Sequence, residues 1–172
     1  MVQSVIHFLR SVPKEAITFI IATLPISELR GAIPWALASP PVGGGLSWQS
    51  AYIFAVLGNF LPVIPILFFL EPLANFLRRY KLFDKFFTWL FARTRRKGKL
   101  IEKYEALGLV FFVAIPLPVT GAWTGAVAAF IFGIELKYAI PCIFFGILLA
   151  GVIVTLASLG IINFLGIVKI GA

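Results

Sequence analysis

Pro25-Ile26-Ser27-Glu28-Leu29-Arg30-Gly31 interrupts one apolar stretch of the chain, and Pro116-Leu117-Pro118-Val119-Thr120-Gly121 interrupts another. The apolar limbs around these motifs are Ala16–Leu24 and Ala32–Ala38, then Leu107–Ile115 and Ala122–Ile134. A nine-residue helix reaches about 14 Å, roughly half of a 30 Å hydrocarbon core. Both stretches therefore predict re-entrant helical hairpins, which enter the membrane and return to the same side.

The composition of the 172-residue chain is that of a membrane protein. Apolar residues make up 60% and charged residues 13%, against about 45–50% and 25% in soluble domains. The longest uncharged runs are Gly31–Leu70, Leu107–Ile134 and Tyr138–Val168, and roughly 20 apolar residues span a bilayer core. A soluble globular fold is excluded, and we expect an all-α integral membrane protein.

Turn-forming residues divide the uncharged runs into segments. Ser39-Pro40-Pro41-Val42-Gly43-Gly44-Gly45 ends the first hairpin, and Pro62 and Pro65 are expected to kink the span that follows. The predicted order is hairpin 14–38, span 48–77, linker 78–106, hairpin 107–134 and span 137–160. A hairpin followed by a span occurs twice, which predicts an inverted repeat with a substrate site at the midplane. A plain four-helix arrangement is the alternative.

Most of the positive charge lies in the linker. Between Arg78 and Glu105 there are ten Lys and Arg residues and three acids, a net +7 against +8 for the whole chain. Short basic loops stay in the cytoplasm and also contact anionic lipid headgroups. Clustered bases suit nucleic-acid phosphates as well, but between two membrane segments we predict no nucleic-acid partner. The headgroup and topology residues are Arg93, Arg95, Arg96, Lys97 and Lys99.

Interfacial helices are expected beside the membrane segments. The apolar residues of Leu82–Phe91 recur at helical spacing, so this basic amphipathic linker is expected to lie in the interface. Gly98 ends that helix or joins it to a second short helix from about Lys99 to Leu107. Val2–Val12 predicts a further interfacial helix, which we expect to be retained because no signal-peptide cleavage site follows it.

The sequence has too few cysteine and histidine residues for most catalytic sites. The single cysteine, Cys142, and the single histidine, His7, cannot form a disulfide, a zinc site or a Cys/His dyad. His7 is also remote from any serine expected to be buried. We predict no enzyme, no cofactor and no metal.

Glu28 and Arg30 are the charged residues at the first hairpin tip. Charges inside a membrane are costly unless they are paired or hydrated, so they are candidates for function. In one interpretation the two residues neutralise each other and hold the tip. In the other, Glu28 takes up and releases a proton as access alternates, while Arg30 binds an anionic headgroup bidentately.

The helix ends at the two tips suggest further ligand contacts. The second limb of each hairpin begins near the midplane, where its unpaired N–H groups and positive dipole end favour an anion. Ser27 and Thr120 are the expected N-caps. An ionised Glu28 favours a cation instead, so the sign of the ligand stays open. The remaining candidate substrate contacts, each with packing as the alternative, are Gly121, Trp123, Thr124 and Asn59.

The two tip motifs resemble the signature loops of the small multi-drug export proteins, a family that looks related to the DedA superfamily of bacterial and archaeal membrane proteins. The motifs are Pro25–Pro34 and Pro116–Ala126, and the resemblance covers nearly the whole chain. It implies two facing re-entrant hairpins and matches Glu28 to the acid of the superfamily's first loop. Arginines usual around the second loop have no counterpart between Leu107 and Ile134.

We predict a small, multi-pass secondary transporter of the cytoplasmic membrane that moves an amphipathic substrate with proton coupling. Members of the DedA superfamily are implicated in transport of phosphate-bearing lipids and in proton-motive-force-dependent drug tolerance. The resemblance therefore implies an anionic lipid such as undecaprenyl phosphate as cargo, which would make the protein a lipid flippase. Export of lipophilic drugs and a non-transporting scaffold are the alternatives. Two spans leave little protein to cover two hairpin tips, so we expect a homodimer in contact with membrane lipids.

Overall fold

A computed structural model describes residues 12–77, 79, 99–117 and 120–164, and the regular secondary structure in these ranges is helical throughout. The predicted all-α class is confirmed for this part of the chain. The described residues do not include the expected helix at Leu82–Phe91 or the headgroup residues Arg93, Arg95, Arg96 and Lys97. Of the expected helix at Val2–Val12 they include only Val12. The helices are α1 Lys14–Thr23, α2 Glu28–Leu37, α3 Trp48–Phe60, α4 Val63–Leu77, α5 Lys99–Ala114, α6 Ala122–Phe132 and α7 Leu136–Phe164.

Among the residues that the structure describes, two helical segments are long and apolar enough to cross a membrane, Trp48–Ala74 and Leu136–Gly160. They coincide with the predicted spans. The first is interrupted as expected, because α3 ends at Phe60 and Leu61 and Pro62 form a turn before α4. Proline lacks an N–H donor and crowds the preceding turn. The Ile66 N–H nevertheless donates to the Pro62 carbonyl at 3.1 Å, so the helix resumes directly.

The first hairpin consists of α1 and α2, which pack against each other. The turn between them is shorter than predicted and covers only residues 24–27. Glu28 donates its N–H to the Leu24 carbonyl at 3.0 Å, and Gly31 donates to the Ser27 carbonyl at 2.8 Å. The second limb of this hairpin therefore begins at Glu28 rather than at the predicted Ala32, and it includes Glu28 and Arg30 of the tip. Both belong to the first turn of α2, where an acid also interacts favourably with the helix dipole.

The glycine-rich turn after α2 folds back onto the end of that helix. Gly44 donates to the Trp35 carbonyl at 2.9 Å, Gly45 to Ala38 at 2.9 Å and Leu46 to Ala36 at 2.8 Å. These bonds satisfy the last carbonyl groups of α2, which have no partner within the helix. A Cβ at position 43 would lie 2.6 Å from the Cβ of Ala38, so this close approach requires glycine.

The second hairpin consists of α5 and α6, which also pack together. The short helix predicted from Lys99 begins there, but it does not end near Leu107, because α5 runs without a break to Ala114. Its interior contains no proline, and the isolated Gly108 costs only about 1 kcal/mol in a helix. Gly133 ends α6 in the left-handed conformation with φ 68°, a common way for a helix to end.

The helices group into two compact units. The first comprises the residues up to Asn59 and from Gly151 onward, and the second comprises Phe60–Ala150. Each unit thus contains one hairpin and part of each span. Their interiors differ, because the polar or charged residues that are buried in the described part of the chain all fall in the first unit. These residues are Thr18, Glu28, Asn59, Thr155 and Ser158.

A glycine brings one hairpin limb close to one span in each unit. In the first unit, a Cβ added to Gly58 of α3 would overlap the carbonyl oxygen of Phe19 in α1 and lie 3.0 Å from the Cβ of Ala22. In the second unit, a Cβ added to Gly146 of α7 would lie 3.0 Å from the Val110 carbonyl oxygen and 2.6 Å from the Cβ of Val113 in α5. Both contacts require the absence of a side chain on the span.

Candidate functional site

The first candidate group is Glu28 with Arg30 at the start of α2. Only 7% of the Glu28 side chain is exposed, against 28% for Arg30. Arg30 Nη2 lies 3.8 Å from Glu28 Oε2, which is an ion pair but too long for a hydrogen bond. Glu28 also has φ 43°, a left-handed conformation that is uncommon outside glycine and that clusters at functional sites. A buried charge and an unusual backbone therefore coincide in one residue.

This geometry allows two kinds of chemistry. The ion pair agrees with the interpretation that Glu28 and Arg30 neutralise each other. The unequal burial agrees with the other interpretation, because an anion can approach Arg30 while Glu28 is enclosed and suited to hold a proton rather than a large ligand. The α2 N-terminus adds positive potential beside both residues.

Of the two expected N-caps, Ser27 holds the position without its side-chain hydrogen bond, and Thr120 does not hold it. Ser27 occupies the N-cap position of α2 without a side-chain cap, and its hydroxyl donates to the Ile21 carbonyl at 2.5 Å. The N-cap of α6 is Gly121 rather than Thr120. The Thr120 hydroxyl donates to the Ile115 carbonyl at 2.5 Å and accepts the Leu117 N–H at 3.0 Å. The Ser27 hydroxyl therefore links its turn to α1, whereas the Thr120 hydroxyl links residues within the second turn.

Replacement of Thr120 by valine is expected to lower the free energy of unfolding by about 1–2 kcal/mol, because two hydrogen bonds that shape the second turn are lost. Thermal unfolding of the purified protein in detergent measures the loss. Thr124→Val is the matched control, since the Thr124 hydroxyl makes only a 3.3 Å contact with the Gly121 carbonyl. An equal loss at both positions would contradict a specific role for Thr120.

The candidate residues divide between the two units. Ser27, Glu28, Arg30 and Asn59 belong to the first unit. The rest belong to the second, where Gly121 is buried, Trp123 is half-buried and Thr124 is exposed. Lys99 begins α5 in the same unit. The outlying acid Glu135 forms an exposed ion pair with Lys137, with Oε2 and Nζ 2.5 Å apart.

Asn59 is more deeply buried than its sequence context indicated. Only 2% of the residue is exposed, and its Oδ1 accepts no hydrogen bond from the described residues. A packing hydrogen bond through this oxygen, the alternative to a path-lining role, is therefore not observed. Thr155 Oγ1 in the same unit is also buried without a partner there. Buried polar atoms in folded proteins nearly always have a hydrogen-bond partner, so these two atoms mark a polar spot inside the first unit.

The second unit contains a cavity that the sequence did not predict. It has a volume of about 250 Å³ and lies between one face of α5 and one face of α6. Glu105 was assigned to the basic linker because the hairpin was expected to begin at Leu107. The sequence does contain a signal for this cavity, because residues 105, 108, 109 and 112 lie on one helical face when the helix is continued from Lys99 to Ala114. The lining residues are Glu105, Gly108, Leu109, Phe112, Ala128 and Phe132.

Comparison with known proteins supplies the remaining finding. Residues 28–153 match the model of a family described as "Putative small multi-drug export protein". The matched range begins at Glu28 and includes the second tip motif and the greater part of both spans. Comparison with curated proteins and with solved structures found no match. Because the family match covers well over half of the chain, this protein belongs to the small multi-drug export protein family.

Proposed function

We propose that this membrane protein exports small lipophilic compounds and that proton binding at Glu28 drives the export. The observation that carries the proposal is the enclosed, ion-paired carboxylate of Glu28 at the first residue of a hairpin helix. An acid in this setting exchanges a proton for its contact with Arg30 when its surroundings change. Family membership supports export as the direction of transport.

The paired glycine contacts support an inverted repeat as the architecture of this transporter. Phe19 and Ala22 lie six and three residues before Pro25, and Val110 and Val113 lie six and three residues before Pro116. Equivalent positions of the two hairpins thus approach a glycine of a span. In our proposal the hairpins are re-entrant, open to opposite sides of the plasma membrane and alternate in exposing the substrate.

The proposal includes a topology and an assembly. The basic linker lies in the cytoplasm, as its positive charge favours. The chain forms a homodimer, because the turn at residues 24–27 needs a protein cover at membrane depth. Ile26 in this turn is 93% exposed in the single chain, which supports a second copy as that cover.

An anionic lipid is the second candidate cargo. The greater exposure of the Arg30 side chain beside the α2 N-terminus favours it, because both groups attract a phosphate. A polyprenyl phosphate such as undecaprenyl phosphate has this chemistry. The proposed kinship with the DedA superfamily supports the same cargo and rests on the resemblance of the tip motifs.

Glu28→Gln is expected to reduce pH-gradient-driven transport at least tenfold, because an amide cannot exchange a proton. Proteoliposomes that contain the wild type or the variant are tested with a cationic dye, ethidium, and with a short-chain polyprenyl phosphate. Glu135→Gln is the control, since Glu135 is an exposed acid that is ion-paired with Lys137.

Each outcome of this experiment has one meaning. Dye movement that depends on the gradient and on Glu28 supports the proposal, whereas lipid movement alone supports the second candidate. Full flux in Glu28→Gln contradicts proton coupling at this residue. Movement of neither cargo by the wild type leaves the scaffold interpretation and overturns transport of both classes.

A further inference from the structure

We propose that Asn59 is a positioning residue for proton exchange, because it accepts a hydrogen bond, through one enclosed water, from the protonated side chain of Glu28. This inference rests on the proposed function and adds to it a residue outside the hairpin. In the ionised state Glu28 pairs with Arg30, with Oε2 and Nη2 3.8 Å apart. In the protonated state it carries an O–H donor instead, and a buried donor needs an acceptor.

The Asn59 side chain offers a buried acceptor. The residue is 2% exposed, and its Oδ1 accepts no hydrogen bond from the residues that the structure describes. A buried acceptor without a bond is costly, so a state that brings a donor to it is favoured. So little exposure leaves no room for contact with a large substrate, whereas enclosed water commonly bonds polar groups of this kind.

Asn59 lies at the same end of the first hairpin as Glu28. Its neighbour Gly58 approaches α1 there, because a Cβ added to Gly58 would lie 3.0 Å from the Cβ of Ala22. Ala22 is the second-last residue of α1. The turn that follows is closed by the 3.0 Å bond from the Glu28 N–H to the Leu24 carbonyl. Within the first unit, α3 therefore brings Asn59 to the level at which α2 begins.

Arg30 is the charged group that competes with Asn59 for Glu28. Helix α1 carries its charged residues at positions 14 and 15, in its first turn and away from Glu28. Helix α3 has no charged residue, and its tyrosine, Tyr52, lies two turns before Asn59. The Glu28 carboxyl group therefore has two states, one paired with Arg30 and one hydrogen-bonded towards Asn59.

The exchange between these states balances. One proton from the aqueous phase joins the Glu28 carboxylate, and the ion pair with Arg30 ends. The new O–H donates to the enclosed water, which donates one of its own hydrogens to Asn59 Oδ1. Loss of the proton restores the contact with Arg30, and the water is not consumed.

Infrared difference spectra of the protein in lipid films, recorded on a change of pH, test the inference without transport. The wild type is expected to show a C=O stretching band of a protonated carboxyl group that Glu28→Gln removes. Asn59→Leu is expected to move this band to higher frequency, because the carboxyl group loses its hydrogen bond. Thr18→Val is the matched control, since Thr18 is also buried in the first unit but its hydroxyl donates to the Lys14 carbonyl at 2.8 Å.

Transport in proteoliposomes supplies a second measurement, with ethidium or, if the wild type moves only that probe, with the polyprenyl phosphate. Asn59→Leu is expected to slow gradient-driven movement at least fivefold. Exchange of the same probe without a gradient is expected to keep the wild-type rate, because it needs no net proton uptake. A purely structural role of Asn59 would lower both rates.

The outcomes separate this inference from the proposed function. A Glu28 band at its wild-type frequency in Asn59→Leu, or wild-type gradient-driven movement by that variant, overturns the role of Asn59 and leaves proton coupling at Glu28 intact. The lack of a Glu28 band, together with full flux in Glu28→Gln, refutes the proposed function itself.

A second pair of variants decides the question if Asn59→Leu fails to fold. Asn59→Ser and Asn59→Ala both introduce a small side chain, but only the first keeps an acceptor oxygen. Asn59→Ser is expected to keep the Glu28 band near its wild-type frequency, and Asn59→Ala to move it upward. The same frequency in both variants would overturn the inference.

Discussion

Replacement of Gly58 by alanine is expected to destabilise the protein by about 3 kcal/mol, at the upper end of the usual effect of overpacking. The added Cβ would overlap the backbone carbonyl oxygen of Phe19, and it would also lie 3.0 Å from the Cβ of Ala22. A backbone carbonyl within α1 cannot move without disturbing the helix, so α1 and α3 must separate. Denaturant unfolding in detergent, followed by tryptophan fluorescence, measures the loss.

Gly160→Ala is the matched control for this experiment. A Cβ at Gly160 would meet no described atom within 4 Å, and alanine is favoured over glycine within a helix by up to about 1 kcal/mol. The control is therefore expected to be neutral or slightly stabilising. A Gly58→Ala variant as stable as this control would show that α1 does not approach α3 at Gly58.

The proposed repeat extends the same test to the second unit. A Cβ at Gly146 would lie 2.6 Å from the Cβ of Val113 and 3.0 Å from the Val110 carbonyl oxygen. Gly146→Ala is therefore also expected to be destabilising, though less so than Gly58→Ala because the carbonyl oxygen is farther away. The short distances require glycine at both positions, and the contacted residues lie at the same offsets before Pro25 and Pro116, as the proposed repeat predicts.

The sequence predicts the elements of this fold better than their contacts. Prolines and glycines are strong local signals, so the turn after Thr23, the turn after Ala114 and the interruption at Pro62 all lie where expected. Ser27 was the expected N-cap of α2, but the apolar limb was predicted to begin only at Ala32; the hydrogen bonds from Glu28 and Gly31 to the preceding turn extend the helix back to Glu28. Local residue preferences do not reveal such bonds in advance.

In the candidate sites, too, the features with a local sequence signal were predicted and those that depend on packing were not. Glu28 and Arg30 were identified because charges are rare in apolar stretches, and their ion pair follows from their closeness in sequence. The cavity at Glu105 was missed because it depends on how α5 packs against α6, and its acid lies among the charges of the linker. The approach of Phe19 to Gly58 joins residues far apart in sequence, which neither composition nor periodicity indicates.

Arg30→Gln is expected to lower stability by about 2 kcal/mol, below the 3–5 kcal/mol that is typical when one partner of a fully buried pair is removed. The smaller figure reflects the 3.8 Å separation and the 28% exposure of the Arg30 side chain. The loss arises because the enclosed carboxylate of Glu28 loses its ion pair with Arg30 at 3.8 Å, and either keeping a less compensated charge or taking up a proton costs free energy. The double variant Glu28→Gln/Arg30→Gln is expected to recover most of the stability, since an amide carries no charge. Denaturant unfolding of the two single variants and the double variant gives their coupling free energy.

Export activity of the same three variants separates the two interpretations of the pair. If Glu28 and Arg30 only hold the start of α2, the double variant regains transport together with stability. If Glu28 exchanges the proton that drives export, the double variant is stable but remains as inactive as Glu28→Gln. We expect the second result, because an ion pair alone does not require the left-handed backbone of Glu28 at φ 43°. A fully active double variant would assign the pair to folding and move the coupling residue elsewhere in the chain.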